Sequence, residues 1–444
     1  MVFGSTRGEK EMKKNNVLEK LKESEIPAKL LKELEQIEDY SEIETPNHKL
    51  YWPNRLISEF ISTLAKIYAS DPQASTTLRP GNALAALFDL SVNLIYVSLV
   101  SDTGWIYCLG PDGTLPPSQY FSFVGACPRC TALGHYIPAI AHKPSSDTIG
   151  DASAISLALI LRQVLERMSS DYKLAVIKKR QGDIDVLIYG PDLITLAEIK
   201  ASPLVSYPLE VSLKQPLMQE DPQSGKIIPY PNHEKHTQRV VLEAPTIYLY
   251  IPHRDVRIDL GPRAEEGWPY NRLISWISNP DNLKTVVEAW THLYRLYVQR
   301  DRQPAFFLTH GCGSIGSLKI SDSKNAPGLD RTDDIKKGTY QVLKYGAYFG
   351  LSSEKRALKA ALLSNIHPVV HFDEYLKELE DIVWTKEGML REISPEEFFV
   401  SKKDVFYLYD AIICFTRNLF NNSILATLFD WETFGSKLAK EGAE

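Results

Sequence analysis

The chain has 444 residues, with 50 Lys and Arg against 56 Asp and Glu (net charge −6), 44% hydrophobic and 10% aromatic residues. These values exclude a fibrous or largely disordered chain, and they exclude a protein that coats nucleic acid through bulk positive charge. They leave room for an enzyme whose cations gather in one cleft.

Five cysteines are too few, and odd in number, for a disulfide framework, which fits a reducing compartment. No uninterrupted apolar run reaches the roughly 18 to 20 residues of a bilayer span. The charged start from Met1 to Lys14 lacks the apolar stretch of a signal peptide. A cytoplasmic protein without membrane contact is expected.

In chain order, residues 1–50 read as a charged helical arm, with Leu and Ile at helical spacing among Lys and Glu. Residues 51–150 hold a helix from Leu56 to Tyr68, an apolar stretch from Ala83 to Val100 that mixes helix and strand, and a Pro-rich insert with Cys127 and Cys130. Residues 151–260 form the central unit. Ala152 to Met168 is apolar at helical spacing, and three β-rich runs follow at Tyr172 to Ile177, Ile184 to Tyr189 and Leu193 to Ile199. Gly190, Pro191 and Asp192 turn the last two into an antiparallel hairpin, and Thr246 to Ile251 is the strand expected to join them. In 261–444, helices are expected over Asp281 to Arg300 and Asp333 to Tyr348, strands near Ala305 to Thr309 and Ser317 to Ile320, and a mostly helical tail after Gly388. This last region partly completes the central unit and carries a loop and helices for ligand contact.

The hairpin carries chemistry. Asp183 and Asp185 lie two apart and share a face, as do Glu198 and Lys200 on the partner strand. Two carboxylates there can hold Mg²⁺ through hard oxygen ligands, and the ion polarises a phosphodiester and acidifies a bound water. Lys200 would steady the developing phosphate charge. The apolar flanks, Val186 to Ile188 and Leu193 to Leu196, make the hairpin buried, where such charges need mutual or metal compensation.

The runs Asp183-Ile184-Asp185 and Glu198-Ile199-Lys200, with twelve residues between Asp185 and Glu198, resemble the PD-(D/E)xK nuclease superfamily. The resemblance covers about a quarter of the chain. No proline precedes the acid, and the literal Pro191-Asp192 pair lies in the turn. The resemblance implies a mixed α/β fold: an αβββαβ restriction-endonuclease-like core, a mixed sheet flanked by helices, here with largely helical N- and C-terminal additions. It makes Asp185, Glu198 and Lys200 catalytic, Asp185 and Glu198 the Mg²⁺ ligands, and Asp183 and Glu166 auxiliary acids. It further implies a type II restriction endonuclease, more narrowly an ApaLI-like one, that cuts double-stranded DNA at a short specific site as a homodimer. The alternatives are a repair or structure-specific nuclease of the same superfamily, and a DNA-binding protein with an inactive hairpin.

Several signals lie outside the hairpin. Cys127-Pro128-Arg129-Cys130 has zinc-knuckle spacing, and Cys108 with His135 or His142 would complete a structural zinc site. Lys178, Lys179 and Arg180 precede the acidic strand as candidate phosphate contacts. Lys319, Lys324, Arg331, Lys336 and Lys337 cluster around a helix capped by Thr332, where Asn325 or Gln341 could read adenine edges. Gly311 to Gly316 outlines a dinucleotide fingerprint but lacks the helix that would receive a pyrophosphate. His233, His236, His367 and His371 read as scattered surface histidines.

Overall fold

The computed structural model describes residues 30, 32, 37–38, 43–71, 73–98, 105–121, 126–135, 137–138, 146–177, 184–236, 244–251, 254, 256–299, 327–349, 357–401 and 404–444. It is mixed α/β. The principal helices are α1 (Tyr51–Ser70), α2 (Pro80–Val97), α3 (Ser146–Met168), α4 (Asn271–Ile277), α5 (Pro280–Gln299), α6 (Thr332–Phe349), α7 (Ser423–Leu428) and α8 (Trp431–Glu441).

A seven-stranded sheet is built from β1 (Ile37–Glu38), β4 (Lys173–Ile177), β5 (Val186–Tyr189), β6 (Leu193–Ile199), β11 (Ala357–Ser364), β12 (Ala411–Cys414) and β13 (Leu419–Phe420), in that spatial order. A six-stranded sheet contains β2 (Trp105–Cys108), β3 (Ser118–Phe121), β7 (Leu209–Ser212), β8 (Lys235–His236), β9 (Tyr248–Ile251) and β10 (Val256–Asp259), in the order β8-β2-β3-β7-β9-β10.

In the larger sheet, β4, β5 and β6 form an antiparallel meander, and β11 then lies parallel to β6 and β12 parallel to β11. Parallel neighbours need a crossover, and α6 serves as one, packing on both β6 and β11. Along the chain, helix α3 leads into the three antiparallel strands and helix α6 leads into the parallel β11, with β7 to β10, α4 and α5 lying between β6 and α6. Alternation along the strands splits the core in two. Val186, Ile188, Ala361 and Leu363 face α1, α2, α3 and α5, whereas Leu187, Leu196, Leu362 and Ile412 face α6.

The expected fourth strand is a correction. The run ending at Ile251 is a strand, but it pairs with β7 and β10 in the smaller sheet, and β11 takes the place beside β6. Both are short apolar runs, which pattern alone cannot assign to one sheet or the other. The stretch from Ala83 is helical through Val97 with no strand, because its apolar residues are buried all round. The tail after Gly388 is not mostly helical: the strands Arg391–Ser394, Glu397–Phe399, Phe406–Tyr407, β12 and β13 precede α7 and α8. Aromatic and β-branched residues at Ile393, Phe398, Phe399, Ile412 and Ile413 favour extended chain there.

Two described helices, Pro80–Val97 and Asp147–Met168, are long and apolar enough to cross a membrane, but 83% and 56% of those spans are buried within the fold. Their apolar residues are accounted for by packing.

The two sheets are tied together just past Lys200. Asp89, fully buried on α2, accepts hydrogen bonds through Oδ2 from the Leu204 and Val205 amides and from Trp290 Nε1, at 3.1, 2.8 and 2.6 Å. Asn93, one turn on, donates to the Val205 carbonyl at 3.0 Å and accepts from the Tyr207 amide at 3.2 Å. Asn365 Nδ2 donates to the Ser202 carbonyl at 2.8 Å, and the Ser202 hydroxyl accepts the Gly328 amide at 2.9 Å. These bonds fix the exit of β6, and so the backbone that carries Lys200.

Candidate functional site

Asp185 stands at the foot of β5, inside the ladder. Its amide donates to the Ala197 carbonyl at 3.2 Å, and its carbonyl accepts from the Ile177 amide at 3.0 Å. Val186 pairs with Ala197, so one step back along the antiparallel register sets Asp185 opposite Glu198. Asp185 Oδ2 accepts the Ile199 amide at 2.8 Å, which holds the carboxylate across the hairpin. Lys200, one residue beyond β6, donates its amide to the Leu363 carbonyl at 2.9 Å. Its ammonium turns back to Glu198 Oε1, with the Ile199 carbonyl at 3.4 Å.

Helix α6 closes the site from one face. Tyr345 donates its hydroxyl to Glu198 Oε2 at 2.9 Å. Gly338 faces the lysine: a Cβ there would lie 3.0 Å from Leu362 Cδ2 and 3.5 Å from Lys200 Cγ, so the glycine leaves space for the lysine stem. Asp334, in the first turn of the same helix, is half-buried and feels the charges of Arg331, Lys200 and Lys337. The helix thus adds Tyr345, and Asp334 as a third acid close to the lysine, neither of which stood out in the sequence. An acid in a first helical turn is ordinary capping composition, which hides it.

The electrostatics follow from burial. The Glu198 and Lys200 side chains are 12% and 19% exposed, so the site is largely desolvated yet open to solvent. Burial, and secondarily the Asp185 charge, push the Glu198 carboxyl up to about 7 against the pull of Lys200 and Tyr345. Burial likewise raises Asp185, opposed by the Ile199 amide and Lys200. Two acids and one lysine leave an excess of negative charge when both acids ionise. That excess opposes ionisation of both acids together.

A second constellation lies on the smaller sheet. Cys108 ends β2, Cys127 immediately precedes the short helix Pro128–Ala132, Cys130 lies in the middle of that helix, and His233 comes from the turn before β8. The ligand atoms of these four residues all lie within 4.8 Å of one another, and the group could hold a metal such as zinc. His233 Nε2 is 3.2 Å from Cys130 Sγ and 3.6 Å from Cys108 Sγ. Among the described non-glycine residues, His233 alone has positive φ, 67°, a conformation tolerated only where the surroundings impose it. The bond from its amide to the Tyr107 carbonyl at 2.7 Å supplies part of that constraint. His233 therefore stands where His135 was expected. His135 is exposed and lies outside the four, and His142 falls outside the described residues.

The other expected residues divide. Glu166 is exposed and paired with Arg162 at 2.9 Å, and it is not among the groups that act on Asp185 or Glu198. Asp183, Lys178, Lys179, Arg180, Lys319, Lys324, Asn325 and the glycines from Gly311 to Gly316 lie outside the described residues. Arg331 reaches Asp333 and Asp334, each at 3.8 Å, while Lys336 lies 5.4 Å over the Tyr375 ring and Lys337 is exposed. His367 and His371 are buried, not on the surface. Asp330, also buried, accepts the Val370 and His371 amides at 2.7 and 3.0 Å, which accounts for His371.

Compared with family models, with curated proteins and with solved structures, the chain matches none.

Proposed function

We propose that the chain is a Mg²⁺-dependent endonuclease with a restriction-endonuclease-like core, which hydrolyses phosphodiester bonds of double-stranded DNA at a short specific site. The observation that carries this reading is the meeting of Asp185, Glu198 and Lys200 across one hairpin, with the two acids buried and short of positive charge. Within the larger sheet, a helix before three antiparallel strands and a helix before the parallel strand support the same reading, with the smaller sheet, α4 and α5 inserted between β6 and α6.

Asp185 and Glu198 would hold the cation, which would supply polarisation of the phosphodiester and acidification of a water. The Ile199 amide fixes Asp185, leaving its other oxygen for ligation. Tyr345 fixes one oxygen of Glu198. Lys200, held on Glu198 in the absence of substrate, turns to a non-bridging phosphate oxygen and steadies charge as it develops. Arg331, Lys336 and Lys337 on α6 and its approach contact DNA phosphates, and Lys178, Lys179, Arg180 and Lys324 are proposed for the same role. The enzyme acts in the cytoplasm as a homodimer, one active site for each DNA strand. Cys108, Cys127, Cys130 and His233 hold a structural zinc that steadies the smaller sheet.

The test is cleavage of supercoiled plasmid. With Mg²⁺ the protein gives discrete linear products, and Asp185→Ala and Lys200→Ala each lower the rate roughly a hundredfold or more while leaving duplex binding in place. Cutting that survives either substitution would remove the site assignment, and nicks dependent on DNA structure would replace the sequence-specific reading.

A further inference from the structure

The carboxyl ends of β6, β11 and β12 lie along one edge of the larger sheet, because the three strands are parallel. Lys200 follows the first of them, His367 the second and Arg417 the third. Open α/β sheets bind ligands outside such ends. Beyond β11 and β12, roughly two strand spacings or 10 Å across from the acid pair's strand, a cleft of about 730 Å³ opens between the sheet edge and the first turn of α2. It is lined by Arg79, Gly81, Tyr294, His367, Arg417 and Trp431, none of which belongs to the hairpin site.

His367 is only 5% exposed, and neither ring nitrogen has a hydrogen-bond partner among the described residues. The Arg417 carbonyl approaches the ring without a bond of normal geometry. A buried imidazole left unsatisfied beside a cleft calls for a partner that enters the cleft. Burial and the neighbouring Arg417 charge hold the ring neutral, down at about 4, so that one nitrogen donates and the other accepts.

The cations beside it are uncommitted. Arg79 and Arg417 make no ion pair with a carboxylate among the described residues, and Arg417 is stiffened by the Phe372 ring 5.1 Å beneath it. Two acids also line the mouth, Asp373 and Glu432. Asp373 is paired with Lys377 at 3.5 Å, which leaves Arg79 and Arg417 against Glu432. Helix α2 starts in the cleft with Pro80 in its first turn and no side-chain cap, so its positive end points at the space. A Cβ on Gly81 would lie 1.9 Å from the Phe415 carbonyl oxygen, and only glycine lets β12 run against that helix end. Two aromatic walls are fixed in place: Trp431 donates Nε1 to the Cys414 carbonyl at 2.9 Å, and Tyr294 stacks on Trp290 at 5.1 Å.

We propose that this cleft is a second binding site, separate from Asp185, Glu198 and Lys200, for a phosphate group borne by a nucleotide unit. The phosphate meets Arg79, Arg417 and the start of α2, His367 bonds one of its oxygens, and the base lies against the aromatic wall. The unit is either a free nucleotide or part of a nucleic-acid strand. The second source rests on the nuclease reading, whereas the phosphate site itself does not.

The experiment follows tryptophan fluorescence of the full chain, without added divalent ion, during titration with inorganic phosphate, with a nucleoside monophosphate and with a short DNA duplex. The parent protein is compared with Arg79→Ala, Arg417→Ala and Lys200→Ala. Both arginines are exposed, so these substitutions leave the melting temperature unchanged, and circular dichroism checks this. Saturable binding weakened at least about tenfold in both arginine variants, and kept in Lys200→Ala, is the expected result. Monophosphate bound more tightly than duplex names a free nucleotide, and the reverse order names a strand. The proposal falls if none of the three ligands binds saturably, if the arginine variants bind as the parent does, or if Lys200→Ala alone loses binding.

Discussion

Glu198 is pulled in opposite directions by its surroundings. Burial and Asp185 favour its protonated form, while Lys200 and Tyr345 favour the carboxylate, and the outcome is a carboxyl raised from 4.5 to about 7. An acid raised in the folded state binds its proton more tightly there than in the unfolded chain, so stability without metal falls as pH climbs from 4.5 to about 7. A divalent ion held by Asp185 and Glu198, as proposed, would compete with that proton. The Mg²⁺-induced rise in Tm should therefore be small at pH 5.5 and larger at pH 8. Asp185→Asn keeps an oxygen for the Ile199 amide but removes the second charge. It should fold with unchanged or higher Tm without metal and lose the Mg²⁺ response. Thermal unfolding at the two pH values measures this, and an equal Mg²⁺ effect at both would contradict the account. At this scale the sequence was informative: the spacing of Asp185, Glu198 and Lys200 on a two-residue period already put them on facing strand positions. Tyr345 and Asp334 were not legible, because nothing local says that α6 lies over the hairpin.

The elements that support the hairpin are joined by side chains far apart in sequence. Asp89 collects three donors on one buried oxygen, two from the chain leaving β6 and one from Trp290 of α5. Asp89→Ala would strand those donors, and urea unfolding should show a loss of about 3 kcal/mol or more. A loss below about 1 kcal/mol would mean that the clamp contributes little beyond an ordinary hydrogen bond. The meander itself was readable from apolar runs and the Gly190-Pro191-Asp192 turn. The strand that completes the sheet was not, since Ser202 and Asn365 meet across 163 residues of chain and a second sheet intervenes. An apolar run such as Thr246 to Ile251 announces a buried strand without naming its neighbours.

For the molecule as a whole, the four residues gathered beside the smaller sheet are placed to hold a metal that would steady it. The cysteine spacing pointed to a metal, but the fourth ligand was hidden. His233 sits in a Pro-rich loop 103 residues from Cys130, and only the pairing of β8 with β2 brings it in. The account predicts one zinc per chain by elemental analysis. Cys130→Ser should release it, and His233→Ala should weaken its retention on dialysis, each with a lowered Tm. Metal-free protein that melts as the wild type does would contradict a structural role. The acid pair and the Cys3His group lie on different sheets, so removing a metal held by that group should reduce stability before it changes the chemistry at Asp185.

The central claim is tested most directly by incubating a phage genome with the protein, in Mg²⁺ and in EDTA, beside Lys200→Ala, and sequencing the ends produced. The account predicts discrete fragments whose ends share one short sequence, formed only with Mg²⁺ and absent with Lys200→Ala. Intact DNA in Mg²⁺, or equal cleavage by the variant, would contradict it.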